Sequence, residues 1–341
     1  MKILITGGCG FVGSNIAIFL KKNLKKAKIY SLDNLMRKGS IQNRNRLLKY
    51  NIKNFNLNIE QFKKFRSLGK FNLIIDCCAE PAIEISNKEP DRVFNTNLLG
   101  TFNILKKCTN DKADIIFLSS SRVYSIEKLR AVIKNLNIKK PIKINKKITE
   151  KFDTESASSL YGFTKIASEK LIKEFFFQTN LKYIINRFGV IAGPWQFGKQ
   201  DQGFVSLWMA KHFFKKKLSY IGFGGNGYQV RDIIHIKDVC EIILLQIKKI
   251  KKINNLTFNI GGGERNKISL RTLTAKCEKI TKNKILITKN RKTSLFDIPY
   301  FVTDNSKIYK FYKWKPSHCI DILLNDIYIW LKNNENLRKF F

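Results

Sequence analysis

The sequence predicts an α/β protein with a doubly wound parallel sheet, followed by a smaller mixed α/β lobe. Two observations support this fold class. Apolar runs of strand length alternate with helical patterns through the first half of the chain, and a glycine-rich turn joins the first run to the first helix. The predicted strands cover residues 3–5, 29–32, 55–57, 73–75, 115–118 and 183–186, and the predicted helices lie near residues 11–24, 91–108 and 161–178.

The second half of the chain predicts a different kind of structure. An irregular crossing at residues 187–198 precedes a helix over residues 204–214, a glycine-rich loop at residues 222–227 and a helix over residues 237–250. The segment 125–159 is longer than a usual connection, and we expect it to be an insertion that loops over the site. Ligands of open α/β sheets bind beyond the carboxyl ends of the strands, so a lobe placed there would close over a second ligand.

Length and composition indicate a large folded core. The chain has 341 residues, of which 44% are hydrophobic. No run approaches the roughly 18 apolar residues of a membrane span, and residues 1–5 belong to the first strand rather than to a signal peptide. We therefore expect a soluble, cytoplasmic protein with no membrane partner. The seven cysteines form no CxxC pair and lie mostly in apolar patterns, so we expect reduced core residues and no metal site.

The formal net charge of +38 would ordinarily suggest binding to nucleic acid or to an anionic membrane. However, lysines are scattered through almost every segment, and basic runs such as residues 215–217 and 248–252 are short. We interpret the charge as a bias of the whole sequence and expect no nucleic-acid partner. A basic surface would still attract a diphosphate.

The glycine-rich turn is the most informative motif. Gly7, Gly10 and Gly13 lie directly behind the first apolar run and ahead of the first helical pattern. Gly7 allows a tight turn, Gly10 allows a pyrophosphate to approach the backbone, and Gly13 lets the helix pack against the strand. The helix N-terminus at Phe11 and Val12 then offers free N–H groups to the phosphates. The motif therefore predicts a Rossmann-type dinucleotide site.

An acidic residue at the end of the second strand indicates which dinucleotide is bound. Asp33 follows Gly13 by 20 residues. Its carboxylate can accept hydrogen bonds from the adenosine ribose hydroxyls and would repel a 2′-phosphate. We therefore predict NAD rather than NADP, while Arg37 and Lys38 leave that choice open.

A helix in the first half carries a candidate base. Tyr161 and Lys165 have the spacing that places both side chains on one helix face. A phenol is a poor base at neutral pH because its ordinary pKa is about 10. A nearby ammonium favours the phenolate, although a packed tyrosine beside a solvated lysine would give the same pattern. The predicted strand 115–118 delivers serines 119–121 to the cofactor end of the sheet, where a hydroxyl can hydrogen-bond a reacting oxygen.

Six motifs occur in a characteristic order. They are the glycine turn, Asp33-Asn34-Leu35, Asn97-x-x-Gly100-Thr101, Ser119-Ser120, Tyr161-Gly162-x-x-Lys165 and Gln229-Val230-Arg231-Asp232-Ile233-Ile234-His235. In combination they resemble the extended short-chain dehydrogenase/reductase family, and in particular its NAD-dependent epimerase/dehydratase group, over essentially the whole chain. The resemblance implies an NAD-binding domain at residues 1–187, to which residues 229–256 return, and a nucleotide-sugar-binding domain at residues 188–341.

The resemblance also assigns residues to roles. It implies a catalytic triad of Ser120, Tyr161 and Lys165, with Ser121 as the neighbouring possibility for the hydroxyl. The expected NAD contacts are Gly7, Gly10, Phe11, Val12, Asp33, Asn34, Ala79, Asn97, Tyr161 and Lys165. The expected substrate contacts are Ser121, Arg122, Trp195, Gln196, Gln202, Arg231 and Arg291. Helices 91–108 and 161–178 pair between subunits in proteins of this kind, which implies a homodimer or larger homo-oligomer.

Some of these residues have a second interpretation. Asn97 could fix the serine-bearing strand or the helix of Tyr161 rather than touch reactants. Trp195 lies in the predicted crossing at residues 187–198, between the two lobes. Aromatic residues in such a crossing belong to the core at least as often as they contact ligands. Arg231 could form a salt bridge, and we expect His235 to be a packing or hydrogen-bonding residue.

Two departures from the family pattern bear on the reaction. Dehydratases of the family have an Asp-Glu pair after the catalytic hydroxyl, and Ser121-Arg122 stands in its place, so dehydration loses its proton-transfer groups. An Arg-x-x-Asp-Ile-Pro pattern expected to hold the substrate diphosphate has Ser294 in place of its arginine, and Arg291 is the nearest one. Arg231 is then the better anion ligand, because a guanidinium can grip phosphate oxygens at two points.

Within the group, the segments 33–40, 76–81, 121–125 and 187–203 most resemble epimerases that invert C2 of a CDP-linked dideoxyhexose. Such an enzyme oxidises the sugar to a ketone and reduces it again on the other face, with no net redox partner. One alternative is a different epimerase or reductase of the group, such as a C4 epimerase acting on a UDP- or GDP-sugar. Another is a non-catalytic relative that binds a dinucleotide or RNA.

Overall fold

The computed structural model describes residues 1–82, 88–199 and 202–341. The chain forms two compact units. The first unit comprises Met1–Val123, Ser159–Arg187 and Val239–Phe258, and the second comprises Tyr124–Ser158, Phe188–Asp238 and Asn259–Phe341. Among the described residues, no helix combines the length and the hydropathy needed to cross a bilayer.

A seven-stranded sheet forms the centre of the first unit. The strands are β1 (Lys2–Thr6), β2 (Lys28–Leu32), β3 (Lys53–Phe55), β4 (Leu73–Asp76), β5 (Asp114–Ser120), β6 (Tyr183–Phe188) and β10 (Leu256–Ile260). They lie in the order β10-β6-β5-β4-β1-β2-β3. The pairs β1–β2, β2–β3, β1–β4 and β4–β5 are parallel. The helices are α1 (Phe11–Asn23), α2 (Ser40–Lys49), α3 (Phe62–Phe65), α4 (Pro90–Phe94), α5 (Gly100–Asp111), α7 (Leu160–Phe177) and α9 (Ile236–Lys249). The predicted parallel sheet is confirmed.

The apolar runs are buried because helices cover the sheet. One core cluster joins Leu4, Ile74 and Phe117 of three adjacent strands to Leu105 of α5 and Ile172 of α7. Fully burying such a side chain contributes about 1.5–3 kcal/mol. Continuous apolar runs of this kind are typical of parallel strands covered on both faces.

The third strand lies earlier than predicted. It covers Lys53–Phe55 rather than residues 55–57, because pairing with β2 stops at Phe55. The N–H of Leu57 then turns back to the carbonyl oxygen of Phe55 (3.0 Å).

The helix predicted at residues 91–108 is not continuous. A π-helical turn at Asn95–Leu99 separates α4 from α5, and α5 continues to Asp111. Lys112 adopts a left-handed conformation (φ 55°) and ends the helix. The π turn contains Asn97, which the sequence analysis singled out.

The second unit combines small sheets with helices. Strand β9 (Val230–His235) pairs with β7 (Val190–Ala192) and β13 (Tyr300–Phe301) in parallel and with β11 (Lys267–Ser269) in antiparallel orientation, and β8 (Leu218–Ile221) pairs with β12 (Ile287–Asn290). The helices are α6 (Ile126–Arg130), α8 (Phe204–Phe213), α10 (Leu270–Thr281), α11 (Ser306–Tyr312) and α12 (Ile320–Lys332). Its core joins Trp208 of α8, Leu273 of α10 and Leu324 of α12.

The long segment predicted as an insertion packs within the second unit. It contains α6, and its Ile148 donates a backbone hydrogen bond to the carbonyl oxygen of Val302 (2.8 Å). Ile148 also forms an isolated parallel bridge with Thr303. The segment is therefore tied to the strand region that surrounds β13.

Two neighbouring histidine rings, tilted by 30° to each other, lie beside α12 in the second unit. The ring centres of His235 and His318 are 4.8 Å apart. Nδ1 of His318 lies 2.8 Å from Asp238, and Nε2 of His235 lies 3.3 Å from Asp326. The backbone N–H of Lys237 donates to Nδ1 of His235 (2.9 Å). Because Nδ1 is an acceptor there, we assign His235 as neutral with its proton on Nε2.

This arrangement predicts a loss of stability in mild acid. Burial and the neighbouring His318 lower the pKa of His235 from 6.5 to about 4. Between these values the unfolded chain binds a proton that the folded chain does not, so the free energy of unfolding falls as the pH is lowered through this window. The measurement is urea denaturation at a series of pH values. His235→Asn keeps an acceptor for the Lys237 N–H, and we expect it to flatten this part of the curve. Identical pH dependence in both proteins would contradict the assignment.

Candidate dinucleotide and catalytic site

The glycine turn connects β1 to α1 with little space for side chains. Gly7 has φ +61°, and an added Cβ there would lie 2.9 Å from the carbonyl oxygen of Cys77. A Cβ on Gly13 would lie 2.4 Å from the carbonyl oxygen of Gly7 and 2.8 Å from Cα of Gly8. Gly13 therefore lets α1 pack against the backbone of the turn itself.

Gly8 is a further constraint of the turn that the motif does not contain. A Cβ at Gly8 would lie 2.2 Å from Oγ of Ser31 and 2.8 Å from the carbonyl oxygen of Ile5. Gly8 therefore packs against residues of both β1 and β2. No signal in the sequence distinguishes Gly8 from a variable position of the motif.

The N-terminus of α1 is suited to a phosphate group. Gly10 precedes the helix, its own N–H donates to the carbonyl oxygen of Gly7 (2.9 Å), and no side chain caps the helix. The first turn, which begins with Phe11 and Val12, contains no acidic residue. N–H groups in the first turn of a helix have no intrahelical acceptor and carry a partial positive charge. A pyrophosphate fits these properties.

Asp33 lies beside the same turn. Its Oδ2 accepts a hydrogen bond from the N–H of Cys9 (3.0 Å), and its Oδ1 accepts one from the N–H of Leu35 (2.8 Å). Burial raises the pKa of the Asp33 carboxyl, and the Leu35 and Cys9 N–H groups oppose that shift. Asn34 follows, with Oδ1 accepting from the N–H of Met36 (3.2 Å).

Ala79 follows the carboxyl end of β4, which is at Asp76, and lies where the chain has left the sheet.

The three serines at the end of β5 have different environments. Ser119 is buried, and its hydroxyl donates to Oε1 of Glu169 (2.6 Å). Ser120 is the last residue of the strand, is only half-buried, and accepts a hydrogen bond from the N–H of Arg122 (3.1 Å). Ser121 begins a 3₁₀ turn. The hydroxyl of Ser120 is therefore oriented by a hydrogen bond, and its side chain is not buried in the core.

Tyr161 and Lys165 lie in the first two turns of α7. Ser159 caps this helix by accepting a hydrogen bond from the N–H of Gly162 (3.1 Å). Nζ of Lys165 donates to the carbonyl oxygen of Leu118 in β5 (2.9 Å) and lies 4.4 Å from the centre of the Phe117 ring. The bond to Leu118 uses one of three ammonium protons. The helix face of Tyr161 is thereby fixed to the strand that ends in Ser120.

Asn97 connects two segments of the first unit. Its Oδ1 accepts from the N–H of Glu80 (2.7 Å), and its Nδ2 donates to the carbonyl oxygen of Glu80 (3.2 Å) and to Oγ1 of Thr164 (3.1 Å). Both amide protons are used in these bonds. The geometry favours the positioning interpretation of Asn97, since Thr164 lies between Tyr161 and Lys165.

The predicted substrate residues of the second unit have different surroundings. The Trp195 ring packs on Trp330, with centres 5.7 Å apart. Oε1 of Gln196 accepts from the hydroxyl of Ser206 (2.7 Å), and Nε2 donates to the carbonyl oxygen of Ile191 (3.1 Å). Both side chains are thus held within the second unit. Gln202 is half-buried, and Asp201, which belongs to the same sequence motif, lies outside the described residues.

Two guanidinium groups reach the loop that precedes β13. Arg231 of β9 donates to the carbonyl oxygens of Val230 (2.8 Å) and Ile298 (2.6 Å). Arg130 of α6 donates to the carbonyl oxygens of Ser294 (3.3 Å) and Leu295 (3.0 Å). Arg130 could not be predicted from the sequence, because nothing local connects it to this loop.

Arg291, the nearest arginine to Ser294 in sequence, is exposed. Ser294 itself closes a turn, in which its N–H donates to Oδ2 of Asp297 (3.1 Å).

The glycine turn predicts a sharp effect of a single methyl group. Because the Cβ of Gly13→Ala would meet turn backbone at 2.4 Å, the turn must shift, and overpacking of this kind costs about 1–3 kcal/mol. We expect NAD affinity, measured by isothermal titration calorimetry, to fall about tenfold or more. Gly69→Ala is the matched control, because no atom of the described residues lies within 4 Å of an added Cβ there. Equal affinity in the two variants would contradict the packing role of Gly13.

Comparison with known proteins identifies the family. The family model described as "NAD dependent epimerase/dehydratase family" matches residues 3–261. CDP-paratose 2-epimerase of Salmonella typhi is 28% identical over 97% of this chain and 99% of its own length. A dTDP-D-glucose 4,6-dehydratase of Dictyostelium discoideum is 30% identical over 76% of this chain but 58% of its own length.

Among solved structures, UDP-glucose 4-epimerase of Thermotoga maritima with UDP-glucose has a TM-score of 0.81 at 24% identity and covers 98% of this chain and 100% of its own. This likeness shows the fold. The family match covers most of the chain and confirms the cofactor prediction. The chain belongs to the NAD-dependent epimerase/dehydratase family, and its cofactor is NAD.

Proposed function

We propose that this member of the family is a sugar-nucleotide epimerase of the CDP-paratose 2-epimerase type, also called CDP-tyvelose epimerase. The observation that carries the proposal is the full-length similarity to the Salmonella typhi enzyme, at 97% of this chain and 99% of that one. The reaction would invert C2 of a CDP-linked dideoxyhexose, in a pathway that makes a polysaccharide.

The end of β5 supports epimerisation over dehydration. Water elimination needs an acid and a base in addition to the residues that transfer the proton during the hydride step. Here Ser121 and Arg122 follow Ser120, and a hydroxyl and a guanidinium are unsuited to exchange protons near neutral pH. Epimerisation has no such requirement.

The first unit supplies the proton chemistry. NAD, held by the glycine turn, Asp33 and the strand-end residues named above, supplies the hydride acceptor and donor when bound. Tyr161 takes the proton of the sugar hydroxyl at the reacting carbon and later returns it. Ser120 hydrogen-bonds the same oxygen and so shares its charge. The Lys165 ammonium favours the phenolate of Tyr161 and holds the nicotinamide ribose.

Inversion follows if the ketone presents its other face before reduction. The carbon then regains hydrogen on the opposite side, and no net oxidant is consumed. Residues that hold the diphosphate while the sugar turns therefore matter most for the outcome. We assign that role in the second unit to Arg231, with Arg291 and Gln202 as further contacts. As further substrate contacts we keep Ser121 and Arg122 of the first unit, and Trp195 and Gln196 of the second.

We also propose a homodimer or a larger homo-oligomer. The described chain exposes apolar side chains on two helices of the first unit, namely Phe102 of α5 and Phe163 and Phe177 of α7. A second copy of the same chain would cover such surfaces in a self-complementary interface.

A 4-epimerase acting on a UDP-sugar is the second candidate. The Thermotoga maritima protein of the same fold is a UDP-glucose 4-epimerase, and no spacing in this chain distinguishes cytidine from uridine. A non-catalytic RNA-binding role is a third, suggested by the net charge of +38 alone.

The test is turnover of a panel of nucleotide sugars by the purified holoprotein without added NAD, followed by proton NMR of the product. We expect inversion at C2 of CDP-paratose or CDP-tyvelose without accumulation of NADH. Tyr161→Phe removes the base and should lower the rate at least about a hundredfold, since general base catalysis typically contributes that much.

Tyr30→Phe is the matched control, because Tyr30 packs against Phe55 and Phe71 in the first unit and should leave the rate unchanged. Inversion at C4 of a UDP-sugar would favour the second candidate. Full activity in Tyr161→Phe would contradict the catalytic assignment.

A further inference from the structure

Asp76 is a fully buried carboxyl group that the proposed reaction does not use. It ends β4, and its Oδ1 accepts hydrogen bonds from the hydroxyl of Thr6 (2.6 Å) and the N–H of Cys78 (3.0 Å). Its Oδ2 is buried and has no hydrogen-bond partner among the described residues. Thr101 lies nearby but donates its hydroxyl proton to the carbonyl oxygen of Asn97 (2.7 Å). A buried oxygen of this kind requires an explanation.

The Lys165 ammonium lies on the same face of the sheet. Asp76 pairs in register with Phe117 of β5, and register partners of parallel strands project to one face. Nζ of Lys165 lies 4.4 Å from the centre of that Phe117 ring and donates to the next residue, Leu118. The carboxyl and ammonium groups therefore lie over neighbouring strands, at the carboxyl ends where the cofactor site begins.

The charged group that acts most strongly on Asp76 is Lys165. Burial raises the pKa of the Asp76 carboxyl, and the Lys165 ammonium is the charged group that most opposes this shift. The other titratable groups on which the Asp76 charge acts are Cys77 and Cys78, which follow β4, and Cys108 of α5. Burial raises the pKa of all three thiols, so they stay uncharged. Lys165 is thus the charged member of this group.

We propose that Asp76 is the counter-charge of Lys165 and a positioning residue that sets the pH at which Tyr161 acts as a base. The inference rests on the roles proposed above for Tyr161 and Lys165. A carboxylate over the neighbouring strand attracts the ammonium and cancels part of its positive potential at the phenol. Loss of the Asp76 charge would therefore leave the positive potential of the ammonium at the phenol uncompensated.

Asp76→Asn tests this pairing, because asparagine keeps the acceptor for Thr6 and Cys78 and loses the charge. We expect the pH at which Tyr161 ionises to fall by about one unit, as for the loss of one nearby charge. The measurement is carbon NMR of the holoprotein with tyrosine labelled at the phenol carbon, and the signal is assigned with Tyr161→Phe. The acid limb of the pH–rate profile should move by the same amount.

The matched control is Asp111→Asn, which removes the carboxylate from another buried pair of the first unit. Asp111 lies 2.8 Å from Nζ of Lys107, and both side chains are buried. We expect a comparable loss of thermal stability in the two variants but an unchanged Tyr161 titration in Asp111→Asn. A Tyr161 titration that is the same in Asp76→Asn as in wild type would overturn the proposal.

A second measurement needs no change at position 76. In Lys165→Met, the Asp76 carboxyl loses its counter-charge and should take up its proton at a higher pH, as followed by carbon NMR of labelled aspartate. An Asp76 signal that titrates identically in both proteins would overturn the pairing even if Asp76→Asn does not fold. Neither NMR titration requires catalytic turnover. Lack of activity would therefore contradict the proposed function, while the two titrations would still test the pairing of Asp76 with Lys165.

Discussion

A buried carboxylate fixes the helix of Tyr161 and Lys165 to the central sheet. Glu169 lies one turn beyond Lys165 on α7 and accepts hydrogen bonds from the guanidinium of Arg187 at 2.7 to 3.1 Å and from the hydroxyl of Ser119 at 2.6 Å. These contacts join α7 to β5 and β6 at once. Removing one partner of such a pair leaves an unpaired buried charge, at a cost of about 3–5 kcal/mol. The pair therefore stabilises the observed docking of α7.

The rest of the first unit is consistent with that constraint. Asn97 ties the segment after β4 to Thr164, and Lys165 itself bonds the carbonyl oxygen of Leu118. Three independent contacts thus hold the same helix face against the strand ends. A proton-transfer group must be placed within a fraction of an ångström to work, and redundancy of this kind supplies that precision.

Residues whose roles depend on local geometry could be predicted from the sequence. Gly7 needs a positive φ, and Tyr161 and Lys165 share a face through helical periodicity alone, so both patterns are visible in a short window. The parallel sheet follows from apolar runs for the same reason. Strand ends such as that of β3 are less predictable, because they depend on where a neighbour stops pairing.

Roles that depend on distant partners could not be predicted. Glu169 bonds a serine 50 residues earlier, and Asp76 bonds a threonine 70 residues earlier. The aromatic side chain of Trp195 suggested a substrate contact, and only the folded chain shows that it packs on Trp330. Gly8 carries no signal at all, since its constraint comes from Ser31 on another strand.

Retention of an isotope at the inverting carbon tests the central claim most directly, namely that hydride leaves that carbon and returns to it inside the site. CDP-paratose carrying deuterium at C2 would be incubated in ordinary water with the holoprotein, and the product would be analysed by mass spectrometry. The account predicts that the inverted sugar keeps its deuterium, because the hydride never exchanges with solvent. Washing out of the label during inversion would contradict it, since the carbon would then have exchanged a proton with water.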